Sequence, residues 1–422
     1  MRNSASKVLI LSVLLRIFVV SLAVALPSDK SKTSRSEVKL TKANRAYSFI
    51  KYAENKLYIP DSTAMGYFYT ALDSLRNGTR QKVNVVHIGD SHIQADLFSG
   101  RVRTLMQDSS AFGNGGRGLV FPYPLAKTNN PWNYKVTYTG AWTGCRNVQY
   151  QQTCSWGLAG ITAETIDSSA TFTVQNGSVS GNYQVNKVRV FYPVTDKTQF
   201  LPLLKAADSV YFPVTLDSLG FAQFELPYEI DQITILLTKT NASQYHFTLQ
   251  GLTLENDRPG LQYSSLGVNG AEVISFLRNP DLETNLQALN PDLIIISLGT
   301  NDAYGKTFNP ELFKQNLGTL LQRLKRAAPH ASILLTAPGD NYRQRKYANY
   351  NNLKATLKMY ELAEETNCAV WNFYKVMGGL KSVVKWQYNG LAAKDRVHLT
   401  AKGYKFQGDL LFEALMEAYL ND

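Results

Sequence analysis

Apolar and polar positions follow two different textures along this chain, and the borders between them set the expected architecture. Met65, Phe68, Leu72 and Leu75 recur at helical spacing and predict a helix over 63–76. Val85, Val86 and Ile88 then form a short β-branched run that suits a strand covered on both faces and ending at Gly89. A helix is expected from about Ile93 to Met106. From about 120 to 260 the texture becomes one of short alternating runs broken by turn residues, among them KVTYTG, ATFTVQNG, NKVRVFYPV and DQITILLTK, the pattern of an all-β sandwich. From 261 onward four strand candidates appear, LQYSSLG, DLIIISLG, ASILLTAPG and CAVWNFY, with helical stretches at about 309–328, 344–366 and 402–420. Strands alternating with helices imply parallel pairing with helices on both faces. The expected fold class is α/β: a three-layer α/β/α domain with a parallel sheet over 46–120 and 261–422, interrupted between its first and second strands by an inserted all-β sandwich at 121–260.

The N-terminus has its own pattern. A basic MRNSASK, an apolar stretch interrupted by Arg16, and Ala23-Val24-Ala25 at a signal-peptidase position predict a cleaved signal peptide over 1–25 and hence an exported protein. Residues 26–45 are polar and charged and read as a flexible leader. No later segment reaches 18 consecutive apolar residues, so no membrane span is expected in the mature chain. The signal peptide removes three basic residues and no acid from a formal charge of +11, leaving about +8. That excess forms no dense block and no aromatic-basic repeat, so nucleic acid is not an expected partner; attraction to an anionic envelope polymer fits better. Of three cysteines, Cys145 and Cys154 are expected to close a small disulfide loop in an exported protein, while Cys368 reads as a core residue. No His/Cys cluster has metal-ligand spacing, and neither a metal nor another cofactor is expected.

Candidate chemistry falls where an α/β sheet places ligands, just beyond strand carboxyl ends. GDSH follows the first strand, GVNGAEV the second and GTNDAY the third, and KDRVHLT precedes the last helix. A serine nucleophile needs a base, an acid to orient it and donors for an oxyanion. Ser91 opens a helix after a tight turn, and His398 alone among five histidines has an aspartate, Asp395, three residues before it. Asn301 offers an amide at a strand end, and Gly270 can bring a backbone N–H close to a ligand. Each has a plainer reading: Ser91 a helix N-cap, Asp395 a capping residue, Asn301 and Gly270 turn residues. His92, Asp90 and Asp302 read as structural. Trp132, Trp142 and Trp156 either stack on sugars or fill the core.

Taken in order, GDSH, the glycine of GVNGAEV, GTND and DRVH resemble the four blocks of the SGNH (GDSL-type) esterase and acylhydrolase superfamily. Within it the chain is similar to the peptidoglycan O-acetylesterases of Gram-negative envelopes, through GDSH with Asp96-Leu97-Phe98, GNGGRGLVFP at 113–122, GVNGA, GTND and VMGGLKSVVKW…GLAAKDRVHLTAKGY at 376–404. The resemblance implies an SGNH-hydrolase domain interrupted by a carbohydrate-module-like β sandwich. It implies Ser91 as nucleophile, Asp395 and His398 as the rest of a triad, and an oxyanion hole from the Ser91 N–H, the Gly270 N–H and the Asn301 side chain. The implied partner is an O-acetylated polysaccharide, most simply peptidoglycan carrying the acetyl on C6 of muramic acid, met in the periplasm, or outside the cell. Gln94-Ala95 departs from the small residues expected after GDSH. An esterase for acetylxylan or another acetylated glycan, a glycan O-acetyltransferase and a non-catalytic glycan-binding protein remain open, as does the oligomeric state.

Overall fold

The computed structural model describes residues 42–108, 110–177 and 183–422. The expected signal peptide, and the expected leader up to residue 41, lie outside these residues. Seven strands frame the site: β1 (Lys82–Gly89), β2 (Asn114–Val120), β3 (Gly251–Glu255), β4 (Gly260–Gly267), β5 (Leu293–Ser297), β6 (Ser332–Thr336) and β7 (Ala369–Trp371). They belong to one eleven-stranded sheet whose spatial order runs from an edge strand at Leu57–Tyr58 through β7, β6, β5, β1, β4, β2 and β3 to three further strands, Val185–Phe191, Phe221–Ile230 and Thr215–Asp217. Pairing from β7 to β4 is parallel, and β2 joins β4 in parallel. From β3 outward it is antiparallel.

The strand sequences explain the layers. Successive side chains point to opposite faces, so a strand buried on both must be apolar throughout. In β5, Leu293 and Ile295 join the core under α1 (Thr63–Arg76) and the last helix, whereas Ile294 and Ile296 join the core on the other face. Val85 and Val86 of β1 divide in the same way. The second core also holds Leu286 of α4 (Leu282–Leu289), Leu321 of α5 (Pro310–Ala327) and Met359 of α6 (Asn351–Thr366). It runs on without a break to Phe172, Val188 and Phe224 of the insert. This is the expected three-layer α/β/α architecture, interrupted by an all-β insert.

The insert does not stand apart as a closed sandwich. Four of its strands, β3 among them, extend the central sheet, and the remainder form a five-stranded and a three-stranded antiparallel sheet. A strand not foreseen, β2, precedes it: glycines at 113, 115, 116 and 118 hid its pattern. The helix expected over 93–106 is broken into α2 (Ser91–Gln94) and α3 (Phe98–Met106) by Asp96, whose φ is +50°. The stretch 344–366 begins instead as a hairpin pairing Tyr342–Arg343 with Tyr347–Ala348, with Gln344 and Arg345 at positive φ, and only then enters α6. At the end of the expected flexible leader, Ala43 is buried and donates its N–H to Glu413 Oε2 at 3.0 Å, and Arg45 pairs with the same carboxylate, so these residues are tied to α7 (Ala401–Asn421).

Candidate active site

The carboxyl ends of β1, β4 and β5 converge on one cleft. β1 stops at Gly89, where a Cβ would lie 2.4 Å from Ile93 Cγ1 and 2.7 Å from the Ser297 carbonyl oxygen, so glycine alone lets α2 settle onto the strand ends. Asp90 is the N-cap of α2: its Oδ1 accepts the His92 N–H at 2.9 Å. The cap is thus the aspartate and not Ser91, and the Ser91 hydroxyl is left for another partner. That partner is His398, with Ser91 Oγ and His398 Nε2 2.9 Å apart.

His398 is oriented by its neighbour in sequence. Its Nδ1 lies 2.8 Å from Asp395 Oδ2, while Asp395 Oδ1 accepts the Val397 and His398 backbone N–H groups at 2.9 and 3.0 Å. Partial burial works against the charged carboxyl, but the bonds from the His398 ring and the two amides outweigh it and hold Asp395 below the usual carboxylate range. An ionised Asp395 fixes Nδ1 as the protonated nitrogen and leaves Nε2 as the acceptor facing Ser91. Behind this pair His92 is hydrogen-bonded through Nδ1 to Tyr404 at 2.8 Å. Burial and the nearby His398 push its ring down to about 3, so it stays neutral beside the candidate base.

Gly270 and Asn301 reach the same cleft. Gly270 has φ +84°, a Cβ there would meet nothing within 4 Å, and its N–H has no acceptor among the described residues. Asn301 Nδ2 donates to the Ala271 carbonyl at 2.9 Å and approaches Asp90 Oδ2 at 3.3 Å. Asp302 accepts the Val273 N–H at 3.0 Å, so the turn after β5 grips the turn after β4 through two adjacent side chains. Burial drives both Asp90 and Asp302 up to about 7, which marks them as members of the buried frame.

Ser91, His398, Asp395, Gly270 and Asn301 are therefore brought to one place. Gln94, noted only as a departure from pattern, proves to be a buried crosslink. Its Oε1 accepts the Asn269 N–H at 2.7 Å, and its Nε2 donates to the Asn129 carbonyl at 2.9 Å, tying the Gly270 turn and the entry of the insert to α2. Nothing in the local sequence signals that role. Cys145 and Cys154 form a disulfide in the insert, away from the cleft lining, and Cys368 is a buried free thiol. Among the described residues no group of three or more His, Cys, Asp or Glu is placed to hold a metal ion, and no helix is long and apolar enough to cross a membrane.

Residues 241–406 match the model of the GDSL-like lipase/acylhydrolase family. That segment holds Gly270, Asn301, Asp395 and His398, while Ser91 lies before the insert. The fold is that of an SGNH-type hydrolase. Within that class the chain is similar to a solved peptidoglycan O-acetylesterase, with a TM-score of 0.73 and 22% identity over 87% of this chain and 99% of the other. A lipase/acylhydrolase from Enterococcus faecalis aligns over 37% of this chain and 77% of its own, with 19% identity and a TM-score of 0.31. An acetylxylan esterase from Geobacillus stearothermophilus aligns over 38% and 73%, with 20% identity and a TM-score of 0.30. No curated protein matches the chain by sequence.

Proposed function

We propose that this protein is a serine esterase that removes O-acetyl groups from a cell-envelope polysaccharide, most simply the muramic acid C6 acetyl of peptidoglycan. The observation that carries the reading is the relay from Ser91 Oγ through His398 to Asp395, at 2.9 and 2.8 Å, beside the open Gly270 N–H. Similarity in fold to a peptidoglycan O-acetylesterase, over 87% of this chain and 99% of the other, supports the choice of substrate. The signal peptide expected over residues 1–25 supports this reading, since export to the periplasm would bring the protein to such a polymer.

In this mechanism Ser91 Oγ attacks the acetyl carbonyl as His398 Nε2 takes its proton, and Asp395 stabilises the imidazolium. The carbonyl oxygen, now anionic, is met by the Ser91 and Gly270 N–H groups and by Asn301. Asn301 keeps its Ala271 bond as an anchor and turns the hydrogen it shares with Asp90 at 3.3 Å toward the oxyanion. The imidazolium then protonates the departing sugar oxygen. Water, deprotonated by His398, attacks the acetyl-serine, and acetate leaves with Ser91 restored. A fluorophosphonate probe tests the assignment of the nucleophile: it should add its mass to the peptide containing Ser91 and label Ser91→Ala nowhere. Equal labelling of the two proteins would contradict the assignment.

A further inference from the structure

The cleft at Ser91 is lined in part by the insert, through Asn129, Asn130 and Trp132. Three tryptophans belong to residues 121–260, and the structure separates them. Trp142 and Trp156 are 5% and 1% exposed and serve the core, whereas Trp132 is 43% exposed at the cleft. Its indole N–H donates to the Asp96 carbonyl at 3.3 Å. The Asp96 side chain is in turn held by buried Arg103 and Arg117, at 2.7 and 2.6 Å. The ring is thus positioned before any ligand arrives, which lowers the ordering cost of stacking.

One residue of α7 completes the feature. Lys405 brings its Nζ to 5.2 Å from the Trp132 ring centroid, is itself exposed, and has no carboxylate partner among the described residues. Among the described residues no Asp or Glu lines the cleft. An exposed ammonium resting on an indole is held only weakly, so a better counter-charge can draw it away.

We propose that Trp132 and Lys405 form a sugar subsite for a carboxylate-bearing acetylated glycan. The C–H face of a sugar ring lies on the indole, and the Lys405 ammonium swings from the ring to a carboxylate on the same or the adjoining unit. This rests on the esterase reading above and narrows its substrate class, since a neutral acetylated polymer offers Lys405 nothing to pair with.

The test is kcat/KM for acetate release from O-acetylated peptidoglycan and from neutral acetylated xylan, each divided by the value for p-nitrophenyl acetate so that only the glycan contribution is read. Trp132→Ala should lower both ratios about tenfold, with much of the loss restored in Trp132→Phe. Lys405→Gln should lower the peptidoglycan ratio roughly three- to fivefold, lower the xylan ratio less, and flatten the fall of the peptidoglycan ratio with added salt. Equal losses on both polymers in Lys405→Gln, or no loss in either Trp132→Ala or Lys405→Gln, overturns the subsite. Ser91→Ala, assayed alongside, keeps the two readings distinct. Acetate release that survives in Ser91→Ala sinks the esterase reading, whereas an inactive Ser91→Ala beside an indifferent Lys405→Gln sinks the subsite alone.

Discussion

Asp90 and Ser91 divide two tasks that a sequence motif leaves joined. Because the aspartate caps α2, the serine hydroxyl can pair with His398; the same aspartate, buried, also meets Asn301 at 3.3 Å. Replacing Asn301 with alanine removes one proposed oxyanion donor and should lower kcat for acetate release about 10²- to 10³-fold, roughly 3–4 kcal/mol, with a smaller change in KM. A kcat within twofold of the parent would remove Asn301 from the mechanism. Asp90 also predicts a pH dependence. Burial raises its folded value to about 7, above the unfolded carboxylate range, so the folded state holds a proton that the unfolded chain releases. Its stabilising contribution is complete below about pH 4 and is lost as pH rises through about 7. Asp302, raised for the same reason, acts with the same sign. Asp90→Asn keeps the Oδ1 acceptor for His92 and should shrink the fall in melting temperature between pH 4 and 8, leaving the Asp302 share. A melting curve as steep as the parent's would show that Asp90 is not protonated in the fold.

At the scale of elements, the break between α2 and α3 coincides with a buried electrostatic cluster. Asp96 accepts from Arg103, Arg117 and Asn133 while fully buried, and these bonds hold the carboxyl far below its ordinary range against the cost of desolvation. Asn133 belongs to the insert, so the cluster fastens the insert's entry to the helix that follows the candidate nucleophile. Asp96→Ala would leave two buried guanidinium groups without a counter-charge and should cost about 3–5 kcal/mol of unfolding free energy, measured by denaturant titration. A cost below about 1 kcal/mol would mean that water reaches the cluster. This break was not legible beforehand because Ile93 and Leu97 stand four residues apart across it and Phe98, Val102 and Met106 continue at helical spacing beyond it; Asp96, at positive φ, bonds Arg117 and Asn133, partners distant in sequence. The parallel strands were legible, since doubly buried strands must be apolar at every position. β2 was not, because its glycines are there to let β3 and β4 approach and carry no apolar pattern. In the cleft, Ser91, Gly270, Asn301, Asp395 and His398 could be named because each sits directly after a strand or before the last helix. Gln94 and Trp132 could not be given their places, since these depend on where the insert docks.

Over the whole molecule, the insert is continuous with the α/β/α domain and not an appendage. Four of its strands continue the central sheet, one apolar core runs through both, and its entry segment supplies Asn129, Asn130 and Trp132 to the cleft at Ser91. On the proposed function, the strand ends would supply the chemistry and the insert the surface beside it for an acetyl group carried on an extended polymer. The most direct measurement is acetate released from O-acetylated peptidoglycan by the parent protein and by Ser91→Ala, compared at equal folded concentration established by identical melting temperatures. Release by the parent, lowered at least about 10⁴-fold in Ser91→Ala, is the predicted result. Release at the same rate by both proteins, or by neither, would contradict the reading of this protein as a peptidoglycan esterase acting through Ser91.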